Sequence, residues 1–91
     1  MSESARDQAR ALPENPGCYL MKDASDVVIY VGKAKNLKRR VNSYFLPNRN
    51  AKTAALVEKI VTIDYVITGN EYEALVLENN LIKKYNPHYN I

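Results

Sequence analysis

Polar and apolar residues change period along this chain, from short β-like runs near the N-terminus to helical spacing later, and that change predicts the elements. Residues 3–11, built from Glu, Ala, Arg and Gln, are expected to form a short helix stopped by Pro13. Gly17 to Lys22 reads as a strand, and Val27 to Val31, rich in β-branched residues, reads as a second. Asp23-Ala24-Ser25-Asp26 between them has turn composition, so the pair is expected to form a β-hairpin. Asn36 can cap a helix running through Leu37, Val41 and Phe45, and a further helix is expected from about Thr53 to Val61. Ile63 to Thr68 is another short strand. Asn70 and Glu73 have capping-box-like spacing, which opens a last helix to about Lys84 that Asn86-Pro87 ends. The order predicts a mixed α/β domain of α+β type, a small, mainly antiparallel three-stranded sheet flanked by helices.

Composition narrows the class. With 91 residues, 46% of them apolar, the chain can build one modest core and is too short for two, so 1–91 is read as a single domain. No run approaches the roughly 18 apolar residues of a membrane span, and the polar opening MSESARDQAR is unlike a secretory signal, so a soluble, intracellular protein is expected. One cysteine, Cys18, leaves no intramolecular disulfide and no thiolate cluster for zinc, and His88 adds no metal constellation. The net charge of +3 is unevenly spread: residues 27–57 carry Lys33, Lys35, Lys38, Arg39, Arg40, Arg49 and Lys52 with no acid among them. Such a run is either a footprint for a phosphate backbone or a solvated helix face.

The candidate chemistry gathers around the hairpin. If the turn is residues 23–26, Lys22 faces Val27, Tyr19 faces Tyr30, and the two rings share one sheet face, either as a packed aromatic pair or as part of a site. Gly32 is expected to end the strand, with Lys33 on its open end, and the helix beyond presents Arg40 and Tyr44 at i and i+4. Arg offers paired donors to two phosphate oxygens and Lys a compact charge. Glu78 has Ala74, Leu75, Leu81 and Ile82 as its helical neighbours, so a carboxylate lies on an apolar stripe and needs a partner. That partner is either a basic side chain at the core edge or a hard divalent cation, Mg²⁺ or Mn²⁺, completed by waters and phosphate. With no histidine nearby, Tyr19 and Tyr30 remain as bases. A free tyrosine is phenolate in only about one molecule in a thousand at pH 7, and Lys33, Arg40 and the cation are expected to lower its pKa.

Gly17-Cys18-Tyr19 and Tyr30-Val31-Gly32 look like the two halves of a GIY-YIG signature. Further motifs match: the run Gly32 to Leu37, the Arg40 and Tyr44 spacing, the helix Glu71 to Lys83 and the ending Pro87-His88-Tyr89-Asn90-Ile91. With these, the chain resembles the GIY-YIG nuclease family, most closely its UvrC branch, from about Leu12 onward. The resemblance implies a central antiparallel sheet and an active site of Tyr19, Tyr30, Lys33, Arg40, Tyr44, Glu78 and Asn90. Glu78 would hold one Mg²⁺ or Mn²⁺, Arg40 would contact the phosphate, Tyr30 assisted by Lys33, or else Tyr19, would be the base, and Asn90 would give polar support. Lys33, Lys35, Lys38, Arg39 and Arg40 would meet damaged double-stranded DNA. The resemblance further implies an N-terminal fragment, itself monomeric, of a larger bacterial cytoplasmic protein, nucleoid-associated when acting. That protein would cut on the 3′ side of a lesion after UvrB has marked it. The alternatives are a non-catalytic DNA-binding module and a homing or branched-DNA endonuclease of the same family. Two departures are small: Cys18 stands where an aliphatic residue is usual, and Asp26 where glycine is common in a turn.

Overall fold

In the computed structural model, which describes residues 4–90, every α-helix starts on a side chain able to cap it. Ser4 caps α1 (Ala5–Arg10), Asn36 caps α2 (Leu37–Asn42), Asn50 caps α3 (Ala51–Lys59) and Asn70 caps α4 (Glu71–Tyr85), each accepting from the backbone N–H three residues on. Residue 3 of the expected first helix lies outside the described residues, as does Ile91. The helix through Phe45 ends earlier than expected, at Asn42, and tightens into a 3₁₀ turn over Ser43–Phe45. At the far end Asn86 takes φ 44° and Pro87 follows, which stops α4 before a second 3₁₀ turn, His88–Asn90.

The strands β1 (Gly17–Lys22), β2 (Val28–Ala34) and β3 (Thr62–Ile67) form one antiparallel sheet in the order β2-β1-β3. Its two faces carry different cores. Tyr19, Met21, Ile29 and Ala34 pack with Ala9, Leu37, Val41, Leu56 and Ile60 of the first three helices and their ends. Leu20, Val28 and Val31 face the other way, toward Leu81 and Ile82 of α4. Cys18 on that second face is buried and donates its Sγ–H to the Ala74 carbonyl at 3.1 Å, so it packs as a small core residue.

The hairpin register differs from the one expected. Asp23 Oδ1 accepts from the N–H groups of Ser25 and Val27, while Asp23 N donates to Val27 O at 3.0 Å, so the loop closes one residue later than a four-residue turn would. Asp26 adopts φ 62°, a left-handed conformation that a short polar side chain tolerates. A bulge then leaves Ile29 unpaired: Lys22 pairs with Val28, but Met21 pairs with Tyr30. The net slip is two residues, and Tyr19 lies opposite Gly32. An even slip preserves side-chain parity, so Tyr19 and Tyr30 still share a face, as diagonal neighbours.

Gly32 does not end the strand. A Cβ there would sit 2.2 Å from Tyr19 Cζ, so the glycine makes room for the facing ring while β2 continues to Ala34. Lys33 is therefore inside the strand, paired with Cys18, with its side chain on the sheet face opposite the tyrosines.

Candidate active site

Three phenols meet on the first face of the sheet. Tyr19 from β1, Tyr30 from β2 and Tyr44 from the 3₁₀ turn after α2 form a triangle with ring centroids 5.9–6.2 Å apart, within the range of favourable tilted and edge contacts. The Tyr19 and Tyr44 hydroxyls share a hydrogen bond of 2.6 Å. Arg40, one turn before Tyr44, donates from Nη2 to its hydroxyl at 3.2 Å and lies with its guanidinium 4.8 Å from the ring centroid. The i, i+4 placement read from sequence thus becomes a direct contact.

Within the chain itself, burial outweighs the basic side chain expected to lower the phenols. Tyr19 and Tyr30 are both pushed up to about 12, chiefly because burial disfavours the phenolate, and Tyr44 is raised further for the same reason. Arg40 opposes each of these shifts without overcoming them. Burial works against the charge of Arg40 as well, but Tyr19 and Tyr44 more than offset it and its own pKa is raised. The residues of the chain alone therefore hold all three phenols protonated near neutral pH. Exposure separates them: Tyr19 is 1% exposed and tied to Tyr44, whereas Tyr30 is half-buried and lines a concavity of about 170 Å³ with Arg40, Tyr44, Lys52, Thr53 and Tyr89.

Glu78 and Lys33 sit across the sheet edge. Glu78 is half-buried on α4 and has no ion pair or hydrogen bond among the described residues, so the basic cap that a core-edge glutamate would take is not there. Its charge nevertheless reaches both sides of β2. It adds to the rise of Tyr30, and on the other face it adds to burial in pushing Cys18 up to about 11, with Lys33 pulling that thiol down. Of its helical neighbours only Ala74 is fully buried, and Leu75 is 40% exposed, so the apolar stripe is narrower than its spacing implies. Among the described residues no group of three His, Cys, Asp or Glu could hold a metal. The donor set thus fits a hard cation that takes one protein carboxylate and completes its sphere with waters and phosphate oxygens, the habit of Mg²⁺.

Asn90 touches the site through backbone. Its Oδ1 accepts from Val31 N and its Nδ2 donates to Val31 O, both at 2.9 Å, so its amide completes the free edge of β2 between Tyr30 and Gly32. Sequence spacing carries no signal for a pairing across 59 residues. The basic run divides: Lys33, Lys35, Arg39 and Arg40 line a larger concavity of about 470 Å³, while Lys38 lines neither cavity. Lys52, Thr53 and Tyr89 were not singled out from sequence, because the return of α3 and of the chain end toward Tyr30 is a tertiary event; only the charge of Lys52 had marked it.

Comparison with known proteins agrees with this geometry. A family model described as the UvrC-like GIY-YIG domain matches residues 15–91. The UvrABC system protein C of Symbiobacterium thermophilum is 60% identical over 87 residues, covering 93% of this chain and 14% of its own length. That of Malacoplasma penetrans is 50% identical over 91 residues, covering 100% of this chain and 15% of its own. The chain thus spans about one seventh of the curated relatives it matches. Among solved structures, the GIY-YIG N-terminal endonuclease domain of Thermotoga maritima UvrC, bound to its catalytic magnesium, superposes with a TM-score of 0.89 at 42% identity, covering all of both chains. Fold and site together are of the GIY-YIG nuclease class. The chain belongs to the UvrC-like GIY-YIG domain family.

Proposed function

We propose that this domain is the endonuclease module of a UvrC protein, hydrolysing one DNA phosphodiester on the 3′ side of a lesion during nucleotide excision repair. One observation above all supports the reading: a half-buried carboxylate, Glu78, has no ion pair or hydrogen bond among the described residues, and its charge is felt by Tyr30. A carboxylate so placed offers its oxygens to a hard divalent cation. When bound there, a divalent cation, Mg²⁺ or Mn²⁺, supplies Lewis acidity at the phosphate and positive charge beside Tyr30. Arg40, already oriented by Tyr44, donates to non-bridging phosphate oxygens and offsets the charge that builds as the water oxygen bonds to phosphorus and the bond to the leaving sugar oxygen breaks.

Tyr30 is the better base of the two candidates, because it lines a cavity that a water can enter while the Tyr19 hydroxyl is tied to Tyr44. To take the water's proton Tyr30 must first give its own to solvent, a loss that the positive charge of a bound cation would favour. Tyr19 and Tyr44 then fix the position of Arg40. Lys33, on the opposite face of β2, serves the phosphate from the Glu78 side and does not assist Tyr30 directly. Asn90 holds the β2 edge that carries Tyr30. The full protein acts in the bacterial cytoplasm at the nucleoid with UvrB, and the domain itself is monomeric.

The test is incision of lesion-bearing duplex by the full-length protein with and without UvrB, comparing wild type with Glu78→Gln. Metal-dependent cutting that needs UvrB and is abolished in the variant, with DNA binding retained, is the expected result. Undiminished cutting by the variant would remove the catalytic assignment, and cutting without UvrB would assign the domain to another class of GIY-YIG endonuclease.

A further inference from the structure

Arg40 forms the wall between two concavities, and the larger is the one away from the tyrosine triangle. We propose that this larger concavity seats the nucleotide next to the scissile bond, with Lys35 and Arg39 holding the phosphate that flanks the one being cut. The inference rests on the endonuclease reading and adds a second phosphate subsite to it.

Size is the first support. About 470 Å³ lies within the roughly 300–1,000 Å³ typical of sites that enclose a small ligand, whereas the 170 Å³ beside Tyr30 is too small for a nucleoside. Charge is the second: four cations, Lys33, Lys35, Arg39 and Arg40, line it against one carboxylate, Glu71. That acid meets Lys35 at 3.7 Å, with the two side chains 57% and 80% exposed. So loose a surface pair contributes little and yields readily to a phosphate. Continuity is the third, since Arg40 borders both cavities and a strand whose scissile phosphate lies at Arg40 must place a neighbouring nucleotide beside it. Arg39 brings a planar fork suited to two phosphate oxygens, and Lys35 a point charge. Lys38 belongs to the same basic run but borders neither cavity, so it provides the control.

The experiment uses the full-length protein with its excision partners on a lesion-bearing duplex in which each phosphodiester flanking the cut is replaced, one at a time, by an uncharged methylphosphonate. For wild type, neutralising one particular flanking phosphate should slow incision about tenfold or more, the loss expected for hydrogen bonds to a charged group. Lys35→Ala/Arg39→Ala should be slow on ordinary DNA and lose little more on the neutralised duplex, while Lys38→Ala should keep the wild-type response. The inference is overturned if the double variant loses as much as wild type on neutralisation, if Lys38→Ala also loses the response, or if no flanking phosphate matters to wild type. A wild-type protein that fails to cut even the all-phosphate duplex would instead sink the endonuclease reading itself.

Discussion

Tyr30 is more open to solvent than the other two phenols, and that access is why it is the proposed base. Removing only its hydroxyl, Tyr30→Phe, should lower single-turnover cleavage about a hundredfold or more while leaving DNA affinity near wild type; loss of affinity in place of rate would make it a binding residue. From sequence, Gly32 is expected to end its strand. What the sequence hides is the Tyr19 ring lying across it, and Gly32→Ala should therefore destabilise the domain by about 1–3 kcal/mol, measurable by denaturant unfolding, by driving Cβ into that ring. Of the cations expected to lower the phenol pKa values, Arg40 does pull each one down, but within the chain the burial of three rings against one another outweighs it. A phenol whose folded pKa is raised above its unfolded value of about 10 binds its proton more tightly when folded. That stability is fully present below pH 10 and lost as pH climbs toward about 12, so unfolding measured across that window should show a falling midpoint. Replacing Tyr19 by Phe should flatten the fall.

The helices were legible because their starts are written locally: Asn36, Asn50 and Asn70 each sit three residues before the N–H they cap. The strands were legible from alternation, yet the register was not, since it depends on how the Asp23 carboxylate gathers the loop and on the bulge at Ile29. The two-residue slip was harmless to the tyrosine pair; what sends Lys33 to the α4 face is the continuation of β2 past Gly32 to Ala34. Asn90 is the clearest case of a role no local pattern reveals, because its partner is the backbone of Val31. Asn90→Ala should leave that edge without both bonds and lower stability by about 1–3 kcal/mol, several degrees in melting temperature for a domain of this size. A variant with unchanged melting temperature would show that the clamp contributes nothing to the edge.

At the scale of the whole molecule, the candidate site is arranged around β2, an edge strand. Tyr30 stands on the face shared with α1 to α3, Glu78 and Lys33 lie on the α4 side, and Asn90 lines the edge between them, so groups from both layers flank one strand. The sequence offered the members of this set through motif and spacing, but the division into an aromatic side and a carboxylate side is a property of the packed sheet. The central claim is that Glu78 holds the cation, and the most direct measurement is Mn²⁺ binding followed by electron paramagnetic resonance of the free ion, with circular dichroism to monitor the fold. One Mn²⁺ per wild-type domain, lost in Glu78→Gln while the spectrum and melting temperature stay the same, is the predicted result. Equal binding by wild type and Glu78→Gln would contradict it.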